Sequence, residues 1–243
     1  MYITKNTVRF SEVDREKRMT LPAVINYFQD CSIFQSEELG VGLENLASHH
    51  RAWMLSSWQI VVDRYPAFAE KIEVGTWATG FEGLYGTRNF TMTGQDGQMA
   101  VWANSIWVYM DMETGRPVRP ETWEMEVYNA EAPLEMEYAP RKINIPKDYE
   151  EVPSFPVRRY HIDTNDHVNN AVYVQMAQEV LKKEITVRQV RVDYKRAAVF
   201  GDQIYPRITE EKERTVVQLC AQNGRPYAVV EFTAKGENEN EVR

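Results

Sequence analysis

Two distant stretches of this chain repeat one plan, and a repeated plan restricts the fold to two like units in tandem. In the first, Arg9 begins Arg-Phe-Ser-Glu-Val-Asp14, which opens into Thr20-Leu-Pro-Ala-Val-Ile-Asn-Tyr-Phe-Gln-Asp30. In the second, Arg159 begins Arg-Tyr-His-Ile-Asp163, which opens into Asn169-Asn-Ala-Val-Tyr-Val-Gln-Met-Ala-Gln-Glu179. Further on, Phe68-Ala-Glu70-Lys-Ile72 is echoed by Phe200-Gly-Asp202-Gln-Ile204, and the turn Gln95-Asp-Gly97 by Gln222-Asn-Gly224. Matches recurring in one order favour internal duplication over coincidence.

Each half carries a short strand, one helix and several strands. Leu21, Val24, Ile25 and Phe28 share a helical face, so the spacing predicts a first helix from about Leu21 to Leu39. Thr20 is placed to cap it, Pro22 is tolerated in its first turn, and Gly40 and Gly42 stop it. A second helix is expected over about 169–183, its stripe running through Val172, Tyr173, Met176, Val180 and Lys183. The β-rich segments 56–62, 72–79, 88–93 and 100–110 follow the first helix; 188–194, 203–209, 215–221 and 226–235 follow the second. Asp-Gly and Asn-Gly at the turns predict antiparallel hairpins. The expected class is therefore α+β, each long helix losing its apolar stripe against its own curved antiparallel sheet. Boundaries are expected at 1–125 and 153–243, with the acid- and proline-rich span 126–152 as a linker.

A net charge of −8 weighs against nucleic acid, which demands a clustered cationic surface. A local exception is Lys182, Lys183, Arg188, Arg191, Lys195 and Arg196, which outnumber Glu184 and Asp193 and read either as the solvated face of a helix end and strand or as a docking patch for an acidic partner. Cys31 and Cys220 lack both disulfide-framework and metal-ligand spacing, which points to a reducing compartment. No basic and apolar leader opens the chain, and no apolar run is long enough to span a bilayer, so a cytoplasmic protein is expected. Pairing of the chain with itself is left open.

The chemistry concentrates at Asp163-Thr-Asn165-Asp-His167-Val-Asn169-Asn170, directly ahead of the second helix. A helix start presents unpaired N–H groups and the positive end of the macrodipole, which stabilise an oxygen gaining negative charge. Asp163 and His167 add the carboxylate and imidazole that hydrolysis needs, and the N–H groups of Val168, Asn169 and Asn170 are the expected oxyanion donors. Singly, Asp163, Asn165 and Asn169 are ordinary turn and cap residues. His161, Asp163 and His167 lack a further metal-ligand spacing, so no metal or cofactor is called for. The matching first-half residues Asp14, Arg18 and Thr20 include no imidazole, so one working site is expected.

Together these motifs resemble the acyl-acyl-carrier-protein (acyl-ACP) thioesterases, a family of tandem hotdog domains, over nearly the whole chain. The resemblance rests on Arg159-x-x-x-Asp163-x-Asn165-x-His167-Val-Asn-Asn170-x-x-Tyr173, on Glu179, and on Tyr194 with Gly201-Asp202. Trp53-Met-Leu, Thr76-Trp77, Ser105-x-Trp107 and Asp111-x-x-Thr-Gly-Arg-Pro117 support it in the first half. It implies hydrolysis of fatty acyl thioesters of acyl carrier protein, with Asp163, Asn165 and His167 as the catalytic set and the first half supplying the acyl pocket. It also implies a glutamate soon after Tyr194, but position 197 is Ala: either Asp163 with His167 suffices to activate water, which is the favoured reading, or Glu179 or Asp202 substitutes, or activity is lost. Acyl carrier protein would be the acidic partner of the cationic span. An acyl-CoA thioesterase or a non-catalytic acyl-binding protein of the same fold is the alternative.

Overall fold

The computed structural model describes residues 1–236 of the 243. Its contacts divide the chain into two compact units, Met1–Trp58 with Asp63–Ala139, and Gln59–Val62 with Pro140–Arg243. The elements of the first are β1 (Tyr2–Thr7), α1 (Leu21–Glu38), α2 (Leu43–Ser48), β2 (Arg51–Val62, whose last four residues belong to the second unit), β3 (Lys71–Glu82), β4 (Tyr85–Thr93), β5 (Met99–Asp111), β6 (Arg116–Pro117) and α3 (Thr122–Glu126). The second holds β7 (Glu150–Glu151), β8 (Phe155–Pro156), α4 (Asn170–Glu179), β9 (Val187–Tyr194), β10 (Gln203–Glu210), β11 (Thr215–Cys220) and β12 (Pro226–Ala234).

In the first unit the Thr20 hydroxyl accepts the Ala23 N–H, and Pro22 sits in the first turn, where no intrahelical donor is lost. The buried face of α1 runs through Leu21, Val24, Ile25, Phe28, Cys31 and Gln35. That stripe packs on the antiparallel ladder β1-β3-β4-β5, in which Thr76 faces Phe90 and Phe90 faces Ala103. Phe28, Trp58 and Phe90 close together, with Phe90 centred 5.1 Å from Phe28 and 4.9 Å from Trp58. Truncating Phe28 or Phe90 to Ala would cost about 3–5 kcal/mol through lost burial and the cavity left behind.

The second unit repeats the arrangement with α4 packed on β11 and β12, in the order β9-β12-β11-β10-β7. Both expected hairpin turns form: Gly97 and Gly224 adopt φ of 75° and 76°, a region that favours glycine, and donate N–H groups to Gly94 and Ala221. Helix α4 is shorter than its periodicity predicts. It ends at Glu179, where the Leu181 N–H turns back to the Gln178 carbonyl and closes the last turn early.

The span 126–152 is shared between the units. Within the first, Tyr128 joins Val41 and Ala78, the Glu131 N–H donates to Ala78, Trp77 Nε1 donates to the Ala132 carbonyl, and Asn89 Oδ1 accepts the Leu134 N–H. Within the second, Ile143 packs with Val216 and Val229, and the Val152 N–H donates to Pro206.

Candidate active site

Between Ile162 and Val168, which pair as an isolated antiparallel bridge, the chain turns tightly around Asp163. The Asp163 N–H donates to the His167 carbonyl at 2.8 Å, and its Oδ1 accepts the N–H groups of Asn165 (2.8 Å) and His167 (3.4 Å). Asp166 takes a left-handed φ of 58° to close the loop. Asn169 then caps α4, its Oδ1 accepting the Ala171 N–H at 2.8 Å. Asn165 lies exposed on this loop, while Asp163 and His167 are half-buried.

The first unit builds the same loop bond for bond. Val13 bridges Met19, the Asp14 N–H donates to Arg18 at 2.8 Å, Asp14 Oδ1 accepts Glu16 (2.8 Å) and Arg18 (3.0 Å), Lys17 takes φ 61°, and Thr20 caps. His167 therefore occupies the place of Arg18, and Asn165 that of Glu16. Upstream, the Arg9 N–H donates to Glu12 Oε2 (2.7 Å) and the Arg158 N–H to His161 Nδ1 (3.0 Å). The counterpart of Arg9 is thus Arg158, one residue earlier than residue types alone suggest, because the backbone bonds and not the side-chain chemistry set the register.

Downstream the parallel continues, with Met19 N–H on Pro66 and Val168 N–H on Ala198, Ala67 N–H on Glu70 and Val199 N–H on Asp202. Two expected oxyanion donors are corrected by these bonds. The Val168 N–H is taken by the Ala198 carbonyl (2.9 Å) and the Asn169 N–H by the His161 carbonyl (2.9 Å), because the loop must fold back on itself to reach the helix start. Asn170 is the first residue of α4.

The substitute carboxylates fare differently. Glu179 is exposed at the far end of α4, about 13 Å along the axis from Asn170 at 1.5 Å per residue, too far to serve the loop. Asp202 sits on the turn beside the loop, but its Oδ2 accepts the Val199 N–H at 3.0 Å. With Tyr227 and Asn223 it lines an open depression of about 450 Å³. Ala197 is matched in the first unit by Tyr65. Among the described residues no three His, Cys, Asp or Glu side chains gather as a metal cluster.

Most of the expected docking set has partners within the chain. Lys182 pairs with Glu150 (2.6 Å) and Glu210 (3.8 Å), Arg191 with Glu231 (2.7 Å), and Lys195 with Asp193. Arg188 donates to the Val62 carbonyl at 2.8 Å, Arg196 lies 4.3 Å over the Tyr227 ring, and Lys183 stands exposed past the helix. Side chains alternate along β9, so Arg188 and Arg191 project to opposite faces. Three of the six, Lys182, Arg191 and Lys195, are held in ion pairs within the chain, that of Lys182 on the exposed surface.

Tyr173 and Tyr194, both in the motif that carries the resemblance, have hydroxyl roles that residue types alone do not assign. The Ala198 N–H, fully buried, donates to Tyr173 Oη at 2.7 Å, and Tyr194 Oη donates to the Asn170 carbonyl at 2.9 Å, the two rings meeting edge to face at 5.7 Å. Burial pushes the Tyr173 phenol up to about 12 and Tyr194 well above its ordinary range, so both stay protonated. At matching positions the first repeat of the sequence has Val24, Val62 and Pro66. Proline has no N–H to satisfy, which is the signal in sequence that would have found the Tyr173 bond.

The models of the acyl-ACP thioesterase N-terminal and C-terminal domains match residues 1–126 and 125–235. The chain is 27% identical to oleoyl-acyl carrier protein thioesterase 2, chloroplastic, of Arabidopsis thaliana, over 92% of this chain and 67% of that protein. An acyl-ACP thioesterase from Bacteroides thetaiotaomicron superposes with a TM-score of 0.88 at 22% identity, covering 96% of this chain and 97% of that one. The 12:0-ACP thioesterase of Umbellularia californica gives 0.81 at 17%, over 97% and 98%. The solved structures carry the tandem hotdog fold. With both domain models matched in order, the chain belongs to the acyl-ACP thioesterase family, and its reaction is hydrolysis of the thioester of fatty acyl-ACP.

Proposed function

We propose that His167, Asp163 and Asn165 carry that hydrolysis. His167 takes a proton from water as the water oxygen attacks the thioester carbonyl carbon. The carbonyl oxygen gains the negative charge, and the Asn165 amide donates to it beside the positive end of α4. Collapse of the intermediate breaks the carbon–sulfur bond, and the proton held by His167 passes to the departing sulfur, giving fatty acid and free thiol. Asp163 Oδ1 holds the loop, which leaves Oδ2 to orient the water or the imidazole.

What carries this reading is the pair of matching loops. Their backbones agree, so the imidazole at 167 and the amide at 165 are additions of the second unit and not requirements of the turn. The decisive substitutions are His167→Ala and Asp163→Asn. The second keeps the oxygen that accepts the loop N–H groups while removing the charge. His167→Ala is expected to lower kcat about 10²- to 10⁴-fold, the usual contribution of a positioned base. Asp163→Asn should lower kcat without moving Tm, whereas Asp163→Ala should lower both. Thiol release by His167→Ala at the parent rate would remove the assignment.

Ala197, standing where the family places a glutamate, leaves Asp163 with His167 to activate water without that further carboxylate. The same acyl group presented on carrier protein and on CoA separates a carrier-specific enzyme from an acyl-CoA thioesterase. Both cysteines are buried and unpaired, which supports a reducing, cytoplasmic setting.

A further inference from the structure

The rim of the second-unit loop differs from its first-unit copy in what it shows to solvent. Tyr160 is 82% exposed, Phe200 51% and Val199 43%, with the Arg159 guanidinium 4.4 Å over the Phe200 ring and Arg158 exposed beside it. At matching positions the first unit has Ser11, Phe68, Ala67, Phe10 and Arg9. An aromatic contact at this corner is common to both, since Phe10 meets Phe68 edge to face at 6.0 Å. The unit that holds the imidazole has replaced Ser11 by Tyr, Ala67 by Val and Phe10 by Arg. None of these changes is needed to fold the loop, because the first unit folds it without them.

Single exposed apolar residues are ordinary, but a cluster of them interleaved with arginine is the composition of a protein interface. Tyrosine and arginine are also the residues on which binding energy concentrates. The other basic candidates of this unit, Lys182, Arg191 and Lys195, are held in ion pairs, whereas Arg158 and Arg159 point no charge at a carboxylate among the described residues. Asp166 is the exposed acid on the loop itself.

We propose that Arg158, Arg159, Tyr160, Val199 and Phe200 form the surface on which the acidic acyl carrier protein docks to deliver its thioester to the 163–167 loop. The proposal rests on the reading that this loop is the hydrolytic site. A carrier tethers its substrate on a short arm, so its body must land on the rim of the site. Acidic carrier helices match the two arginines, and Tyr160 and Val199 supply the apolar contact that holds the partner after electrostatic capture.

The test uses the full chain with Arg158→Glu/Arg159→Glu and, separately, Tyr160→Ala. Each is titrated with acyl carrier protein bearing a non-hydrolysable amide-linked acyl chain, and assayed on the same acyl group as carrier thioester and as carrier-free pantetheine thioester. The double reversal is expected to raise Kd and KM for the carrier forms about tenfold or more, with kcat within about twofold and carrier-free turnover unchanged. Its binding should also lose the salt dependence of the parent. Tyr160→Ala should raise Kd with the salt dependence intact. Unchanged Kd and KM in both variants would overturn the dock, as would equal losses on carrier and carrier-free substrates. Should the parent self-associate, loss of that association in the variants with carrier binding unaltered would overturn the dock and assign the face to a second copy. Failure of the hydrolytic reading shows separately, as absent thiol release from both substrates by the parent while carrier binding follows the rim.

Discussion

Asp163 does two things at once, and the two are separable only at the level of atoms. Oδ1 anchors the turn, as Asp14 Oδ1 does in a unit with no imidazole, so removal of the whole side chain would be misread as loss of chemistry. Tyr173 offers a cleaner experiment in folding. Its hydroxyl satisfies the buried Ala198 N–H, so Tyr173→Phe should destabilise the protein by about 1–3 kcal/mol, the penalty of an orphaned buried donor. Adding Ala198→Pro, which copies Pro66, removes the donor as well and should restore most of the loss in a denaturant titration. No such restoration would mean that the hydroxyl acts elsewhere. The imidazole, the amide and the carboxylate of the site were all legible as residue types on a loop. Which N–H groups were already taken was not, because the acceptor at Ala198 lies far along the chain from Val168 and the two meet only through the fold.

At the scale of elements, each unit enters its loop through a single turn of 3-10 helix, tied by a side chain three residues on. In the first unit the tie is Glu12 and in the second His161, whose Nδ1 must be unprotonated to accept the Arg158 N–H. Burial, and then the Arg158 charge, hold the His161 imidazole below its ordinary value of about 6.5. The unfolded imidazole therefore takes up its proton at higher pH than the folded one. Stability from this tie is complete above about pH 6.5 and is lost as pH falls through that value toward the folded one. Thermal unfolding followed between about pH 7 and about pH 5 should show this fall, and His161→Glu should reduce it by copying Glu12. An identical pH dependence in the two proteins would show that the tie contributes nothing. Helix α1, the hairpin turns and the strands after them follow the periodicity and the Asp-Gly and Asn-Gly signals closely. Helix α4 does not, since the Leu181 N–H turns back to the Gln178 carbonyl, and Val180 and Leu181 are only half-buried past the helix end.

At the scale of the whole molecule, the span 126–152 is divided, its first part bound within one unit and its second within the other. A chain of residues 1–139 should accordingly be more stable than one of residues 1–125 by about 3 kcal/mol, the order of magnitude of burying Tyr128 and satisfying several polar groups. Equal denaturation midpoints would show that the added segment is a mere appendage. What this sequence determined by itself was whatever depends on near neighbours: the duplicated plan, the caps Thr20 and Asn169, the turn glycines, the family, and the loop on which Asp163, Asn165 and His167 lie together. Periodicity and turn chemistry act over a few residues, and so they survive reading without a fold. Only the tertiary structure decided that Val168 and Asn169 have no donor to offer, that Lys182, Arg191 and Lys195 are neutralised, and that Glu179 lies at the wrong end of its helix. Those outcomes depend on burial and, for Val168, Lys182 and Arg191, on partners distant in sequence, where the cost of an unpaired buried group, and not the local pattern, chooses the contact.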